Sequence, residues 1–585
     1  MDGVVRASET SNASRLTYPR SQALVYRVRT PTIPRLLFVV VLSSVALGAP
    51  ALDAQAPAGL AMTEQDARAW LGFLASDALQ GREVFTEGYG MAATYVADHL
   101  ASWGVKPLGD EGTFLQSVKQ RAYKVTRRSS LTVNAGGRSQ TFRHGDHVSF
   151  PLESGGSQKL EFSSFVLVAE SRLAGATAAD IARRQDLRGK LVVYLPEQAG
   201  SSLRRDAAGG DLDLPTVMVR RLGAAAVITF IPEPPPRRAA RGASTQSGEI
   251  QTSPLTTVGR VDGPVAPSIT ADESVLDLIF SGGGEPFSAL RARANKGEPL
   301  STVSGPAVTV TFTVDNTFDV TSTQLTENVV GMVEGSDPLL KDTYVIFGAH
   351  LDHVGYARGS EAKGKVNNPI AQDRIWNGAD DNGSGSVGLL GLARTFATGL
   401  RPRRSVVFVW HAGEEADLVG SRYMIAFPVV PLERVQAMFN IDMIGRNRDD
   451  KSSEQNTVYV IGADRISTDL HNALIETNRG LASPMALNFE FNDPADVESF
   501  YTRSDHYSYA STGIPVAFFF CGTHDDYHAN SDSADRILYP KLLRVADLIY
   551  RVGFRVADRP ENLERDRLGP RAGRDFSGPL PKPAR

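Results

Sequence analysis

Five short runs of apolar, β-favouring residues constrain this chain more than any other feature. They fall at residues 344–348, 406–410, 438–441, 458–461 and 516–520, with helix-periodic segments between them. Buried strands alternating with helices build a largely parallel sheet covered on both faces. The fold class expected is therefore α/β, a mixed, mostly parallel sheet flanked by helices. In an open sheet of this kind ligands bind beyond the carboxyl ends of the strands. His350, Asp352 and His353 follow the first run, Glu414 and Glu415 the second, Asp442 the third, and His524 and His528 the last.

Between the first two runs, Trp376-Asn-Gly-Ala-Asp380-Asp381-Asn-Gly-Ser sets two adjacent carboxylates in a glycine-rich turn. Alone, such residues would simply cap the helix that follows. Beside histidines and acids at neighbouring strand ends, they point to a metal site lined by oxygen and nitrogen. A two-metal hydrolytic site needs a carboxylate that reaches both ions, a nitrogen and a carboxylate on each, and an unbound base. Asp380 is assigned the bridge, because its glycine neighbours permit close approach. His350 and Asp442 complete one ion, and Glu415 and His528 the other. Glu414, next to a ligand but pointing elsewhere, is the general base for a metal-bound water. Asp352 takes the other ring N–H of His350 and fixes its tautomer. His353, His411 and His506 are assigned to the core or to support of the ligands. His524 is less suited to a metal, since Asp525 and Asp526 favour a loop over a helix that would align it with His528.

The rest of the chain sets boundaries. At 585 residues it exceeds one core. A net charge of -4 carries no nucleic-acid footprint. The single cysteine, Cys521, excludes an intramolecular disulfide and a cysteine-rich zinc site. Arg27, Arg29 and Arg35 precede an apolar stretch at 36–47 and an Ala-Pro-Ala site at 49–51. That order reads as a secretory signal peptide over residues 1–51, with secretion or a periplasmic location as the consequence. The stretch is short of the roughly twenty residues of a spanning helix, so no stable membrane insertion is expected after cleavage. An uncleaved anchor is the alternative. Residues 60–122 read as two helices joined at Gln80-Gly-Arg82, and 123–314 as a β-rich insertion. A loop rich in Pro, Arg and Ser spans 232–253. The site-bearing domain covers 325–556, and 557–585 reads as a disordered tail.

The segments GAHLDHVG, NGADDNGSG, HAGEEADLVGS, NIDMIG and DYHANSD resemble the motifs of the co-catalytic zinc aminopeptidases, relatives of glutamate carboxypeptidase II and the transferrin receptor. The resemblance covers residues 328 to about 552. It implies two zinc ions per chain with Asp380 bridging and a cis peptide between Asp380 and Asp381. It also implies Glu414 as base and His350, Glu415, Asp442 and His528 as ligands. The insertion resembles a protease-associated domain through Asp186-Leu-Arg-Gly-Lys-Leu-Val-Val, and is expected to supply no metal ligand. The function expected is an exported zinc exopeptidase, foremost an aminopeptidase acting on a peptide substrate. Asp381, Asp496 or Glu498 would hold the substrate amine, and Tyr501 or Tyr507 an oxyanion. A carboxypeptidase using Arg446, Arg448 or Arg503 is one rival. A glutaminyl cyclase-like transferase with one zinc is another, and a binding protein that has lost ligands a third. Oligomeric state is not specified.

Overall fold

A computed structural model describes residues 59–566, apart from residues 127, 152–155, 170–185, 197–214, 216–217, 220–221, 233–254, 260–265, 283–284, 297 and 299–307, all within the insertion, and residues 494–495. The expected signal peptide and the 232–253 loop lie almost wholly outside the described residues. The chain enters through helices α1 (Glu64–Leu74) and α2 (Glu87–Ser102). Thr63 and Asp66 form a reciprocal capping box at the start of α1, which satisfies first-turn N–H groups. The turn at 77–82 joins the two helices, as the sequence suggested.

The main sheet contains β1 (Leu115–Val125), β2 (Phe318–Val333), β3 (Tyr344–His350), β4 (Ser405–His411), β5 (Val435–Ile441), β6 (Thr457–Ile461) and β7 (Val516–Phe520). Its spatial order is β1-β2-β4-β3-β5-β7-β6. The four central strands, β4, β3, β5 and β7, are parallel, and antiparallel strands flank them. Alternate residues of the central strands divide between two cores. Val345, Phe347, Phe408, Phe439 and Phe519 pack beneath α1, α2, α3 (Gly385–Thr398) and α4 (Tyr539–Asp558). Ile346, Val407, Met438, Phe518 and Phe520 form the opposite face. Both faces are thus apolar, as unbroken apolar runs require.

The insertion holds a five-stranded sheet, a four-stranded antiparallel sheet and the helices Glu273–Phe280 and Phe287–Asn295. It is not a separate body. Leu255–Thr257 pairs with β1 at the edge of the main sheet, and Val192, Tyr194 and Val227 share a core with Val330 and Val407. The described stretch 559–566 also departs from the expected disorder. Leu563 is buried, and Asp566 Oδ1 accepts from Thr468 N at 2.8 Å. Burial of one apolar side chain and backbone bonding to Gln436 and Asp469 order these residues.

Candidate metal centre

The site lies beyond the carboxyl ends of β3, β4, β5 and β7, where parallel strands leave a crevice between their outgoing loops. His350 closes β3, Glu414 and Glu415 follow β4, Asp442 follows β5, and His528 follows β7. His350 Nε2 lies 3.3 Å from Asp381 Oδ1 and 3.4 Å from Asp442 Oδ1. His528 Nε2 lies 3.0 Å from Asp381 Oδ2 and 3.1 Å from Glu415 Oε2. Two histidine–carboxylate sets thus meet on the two oxygens of one carboxylate.

That carboxylate is Asp381, which corrects the assignment of the bridge to Asp380. Asp380 is fully buried with both oxygens engaged elsewhere: Oδ1 accepts from Gly445 N at 2.7 Å and Oδ2 faces His524 Nε2 at 3.1 Å. Side chains of adjacent residues diverge, so only one of the pair faces His350 and His528. The cis peptide likewise falls one bond later than expected, between Asp381 and Asn382. Asp532 holds the turn by accepting from the N–H groups of Asp380 (2.9 Å) and Asp381 (3.1 Å). His524, set aside as a ligand, instead braces Asp380.

Asp352 also acts differently from its expected role. The nearest acceptor to His350 Nδ1 is the Asp352 backbone carbonyl at 3.2 Å, while its carboxylate is 3.8 Å away. The carboxylate accepts from Glu414 N at 3.1 Å and Glu415 N at 3.3 Å, fixing the turn that carries both glutamates. Burial pushes the Asp352 carboxyl up to about 6. Asp442 is steadied from behind, where Oδ2 accepts from Ser504 Oγ at 2.8 Å and that hydroxyl accepts from Asn440 Nδ2 at 2.9 Å.

The electrostatics separate the two glutamates. Burial raises Glu414 well above the usual carboxylate range; the neighbouring Glu415, Asp442 and Asp505 add to this, and His350 opposes it. Burial and Asp381 also act to raise Glu415, but hydrogen bonds from His353 and His528 hold it down at about 2. Asp381 is likewise held well below its usual value by His350 and His528 against the opposing effect of burial. The surroundings thus push the two acids in opposite directions, Glu414 towards higher proton affinity and Glu415 towards the charged form, a division suited to a proton carrier beside a ligand.

Arg82, legible in the sequence only as part of a turn, is fully buried and donates to four carbonyls. Nε reaches Leu351 O at 2.8 Å, Nη1 reaches Asn377 O at 2.7 Å and also Leu74 O, and Nη2 reaches Gly378 O at 3.0 Å. It clamps the loop after β3 to the Asp380–Asp381 turn. The signal available was its position in a glycine-containing connection.

His350, Asp381, Glu414, Asp442 and His528 line one pocket together with Met443, Phe500, Phe518, Phe520, Arg503 and Tyr527. Tyr501 and Tyr507 are not in that lining, and Tyr527 is. Asp496 accepts from Glu498 N and Phe500 N within its own turn. Arg446 pairs with Asp450 and Asp526, and Arg448 with Glu490, which leaves Arg503 as the arginine of the three at the pocket. His144 and His147 bond within the insertion, to Phe150 N and Asp272.

Buried imidazole nitrogens converge here with carboxylate oxygens on a mostly parallel α/β sheet, a donor set suited to holding two metal ions. Residues 328–553 match the model described as Peptidase family M28. A probable leucine aminopeptidase of Arthroderma otae is 28% identical over 226 residues, 37% of this chain and 54% of that protein. Leupeptin-inactivating enzyme 1 of Streptomyces exfoliatus is 25% identical over 277 residues, 47% and 53% of the two chains. The chain thus spans about half the length of these curated relatives. Among solved structures, an aminopeptidase from Aneurinibacillus sp. strain AM-1 aligns over 86% of this chain and 96% of its own, at 19% identity and a TM-score of 0.40.

Proposed function

We propose that the protein is a zinc-dependent aminopeptidase that hydrolyses the N-terminal bond of peptides. The observation that carries this reading is the Asp381 carboxylate, shared at 3.0–3.3 Å between His350 on one side and His528 on the other. His350, Asp442 and Asp381 would hold one zinc ion, and His528, Glu415 and Asp381 the second. Bound zinc supplies Lewis-acid polarisation of the scissile carbonyl and acidifies the attacking water. Glu414 takes a proton from that water and returns it to the leaving amine, a task suited to a buried carboxyl with raised proton affinity. Asp352 keeps Glu414 in place through its backbone N–H. Met443, Phe500, Phe518 and Phe520 give the pocket an apolar wall for the substrate's side chain. The arginine cluster required by a carboxypeptidase is not assembled among the described residues, which favours recognition of the amine end.

The apolar stretch at 36–47 supports export, and N-terminal sequencing of the protein recovered outside the cytoplasm tests it. No helix among the described residues is long and apolar enough to cross a membrane. The insertion, which resembles a protease-associated domain in sequence, would govern access to the pocket. The test of function is a panel of free-amine and N-acetylated peptides assayed beside zinc content. Hydrolysis confined to free-amine substrates at two zinc ions per chain is expected, and equal cleavage of the blocked peptides refutes the reading.

A further inference from the structure

His353 has no place in the ligand set above, yet its ring is packed against it. The side chain is buried, with Nδ1 2.8 Å from Glu415 Oε1 and 4.0 Å from Asp381 Oδ2. On the far side of the same carboxylate, His528 Nε2 meets Oε2 at 3.1 Å. Glu415 therefore turns one oxygen to His353 and the other to the shared ion position. Two features place His353 independently of that contact. Its backbone N–H donates to Arg82 O at 3.3 Å, so the buried arginine turn anchors it. Gly378, at φ 57°, closes over the imidazole, and a Cβ there would come within 2.5 Å of His353 Cγ. The other ring nitrogen, Nε2, is buried without a hydrogen-bond partner among the described residues, so Glu415 is what the ring engages.

We propose that His353 is a positioning residue for the second metal ion. Its Nδ1–H donates to Glu415 Oε1 and thereby aims Oε2 at the ion shared with Asp381 and His528. A carboxylate ligand is itself fixed by a hydrogen bond in most metal sites, and loss of such a partner typically weakens metal affinity about 10–100-fold. This inference rests on the two-zinc reading, which the wild-type zinc count tests separately: two ions are needed before the variants are interpreted.

The experiment compares His353→Ala and His353→Asn in the full chain by competition with a chromogenic chelator. Folding is checked by circular dichroism of the metal-free proteins. Asparagine places an amide N–H close to where Nδ1–H stood, so it retains the donor without the ring. The expected result is that alanine weakens one of the two zinc sites about 10–100-fold and leaves the other unchanged, while asparagine restores most of the lost affinity. Unchanged affinities in the alanine variant would overturn the proposal, as would equal weakening of both sites. Failure of asparagine to rescue would also overturn it, because the nitrogens and oxygens of His353, Asp381 and Glu415 lie near enough together to share an ion directly. In that case His353 would be a ligand and not a positioning residue.

Discussion

Replacing Glu414 with glutamine tests the division of labour between the paired glutamates. The substitution keeps the side chain's length and hydrogen-bonding capacity but removes its basic oxygen. The backbone at 414 stays anchored, since Asp352 Oδ1 accepts from its N–H at 3.1 Å. The ion pairs that join the histidines to Asp381, Asp442 and Glu415 do not include Glu414, so zinc should remain bound. Loss of a positioned proton carrier costs about 10²–10⁴ in turnover. At 1.36 kcal/mol per tenfold, that is about 2.7–5.4 kcal/mol on the barrier. Glu415→Gln should do the reverse, weakening one zinc site while excess zinc restores part of the activity. Turnover on a free-amine anilide is measured beside zinc per chain by mass spectrometry. If Glu414→Gln loses zinc, or keeps turnover within about threefold of wild type, the assignment of the base is refuted.

The correction at the bridge has its own test. Asp381→Asn should lower the affinity for both zinc ions, whereas Asp380→Asn, which leaves the bridging oxygens in place, should chiefly lower the melting temperature; the opposite pattern restores Asp380 as the bridge. Arg82→Met leaves the carbonyls of Leu74, Leu351, Asn377 and Gly378 without their buried donor. It should destabilise the protein by about 3–5 kcal/mol in a denaturant titration, and a loss under 1 kcal/mol would show that the clamp is dispensable. Asp66 is held low by its hydrogen bond with Arg394, with help from Thr63 and against the opposing effect of burial. A depressed folded pKa gives stability that is present above the usual carboxylate value of 3.8 and lost as pH falls below it. The melting-temperature gap between wild type and Asp66→Asn should therefore be full at pH 7, begin to narrow only below about pH 3.8 and be much reduced near pH 2; a gap unchanged between pH 7 and pH 2 refutes the ion-pair account.

The sequence by itself determined the sheet and the location of the site. Unbroken apolar runs need both faces covered, which forces the parallel α/β arrangement, and polar residues placed just after those runs must emerge at one edge. His350, Glu415, Asp442 and His528 were legible for that reason, since a strand end fixes where the next side chain goes. Tertiary structure alone decided between Asp380 and Asp381, because adjacent residues in a turn carry the same chemistry and differ only in direction. Gly445 N–H and His524, 65 and 144 residues further along the chain, capture Asp380 and leave Asp381 to the histidines. Asp352, too, had its expected donor replaced by the Glu414 and Glu415 N–H groups, which only the pairing of β3 with β4 brings within reach. Arg82 was invisible as a site residue, and His353 was left undecided between core and ligand support, for the same physical cause. Their partners are backbone carbonyls and a distant carboxylate, and local sequence patterns do not encode contacts that long-range packing creates.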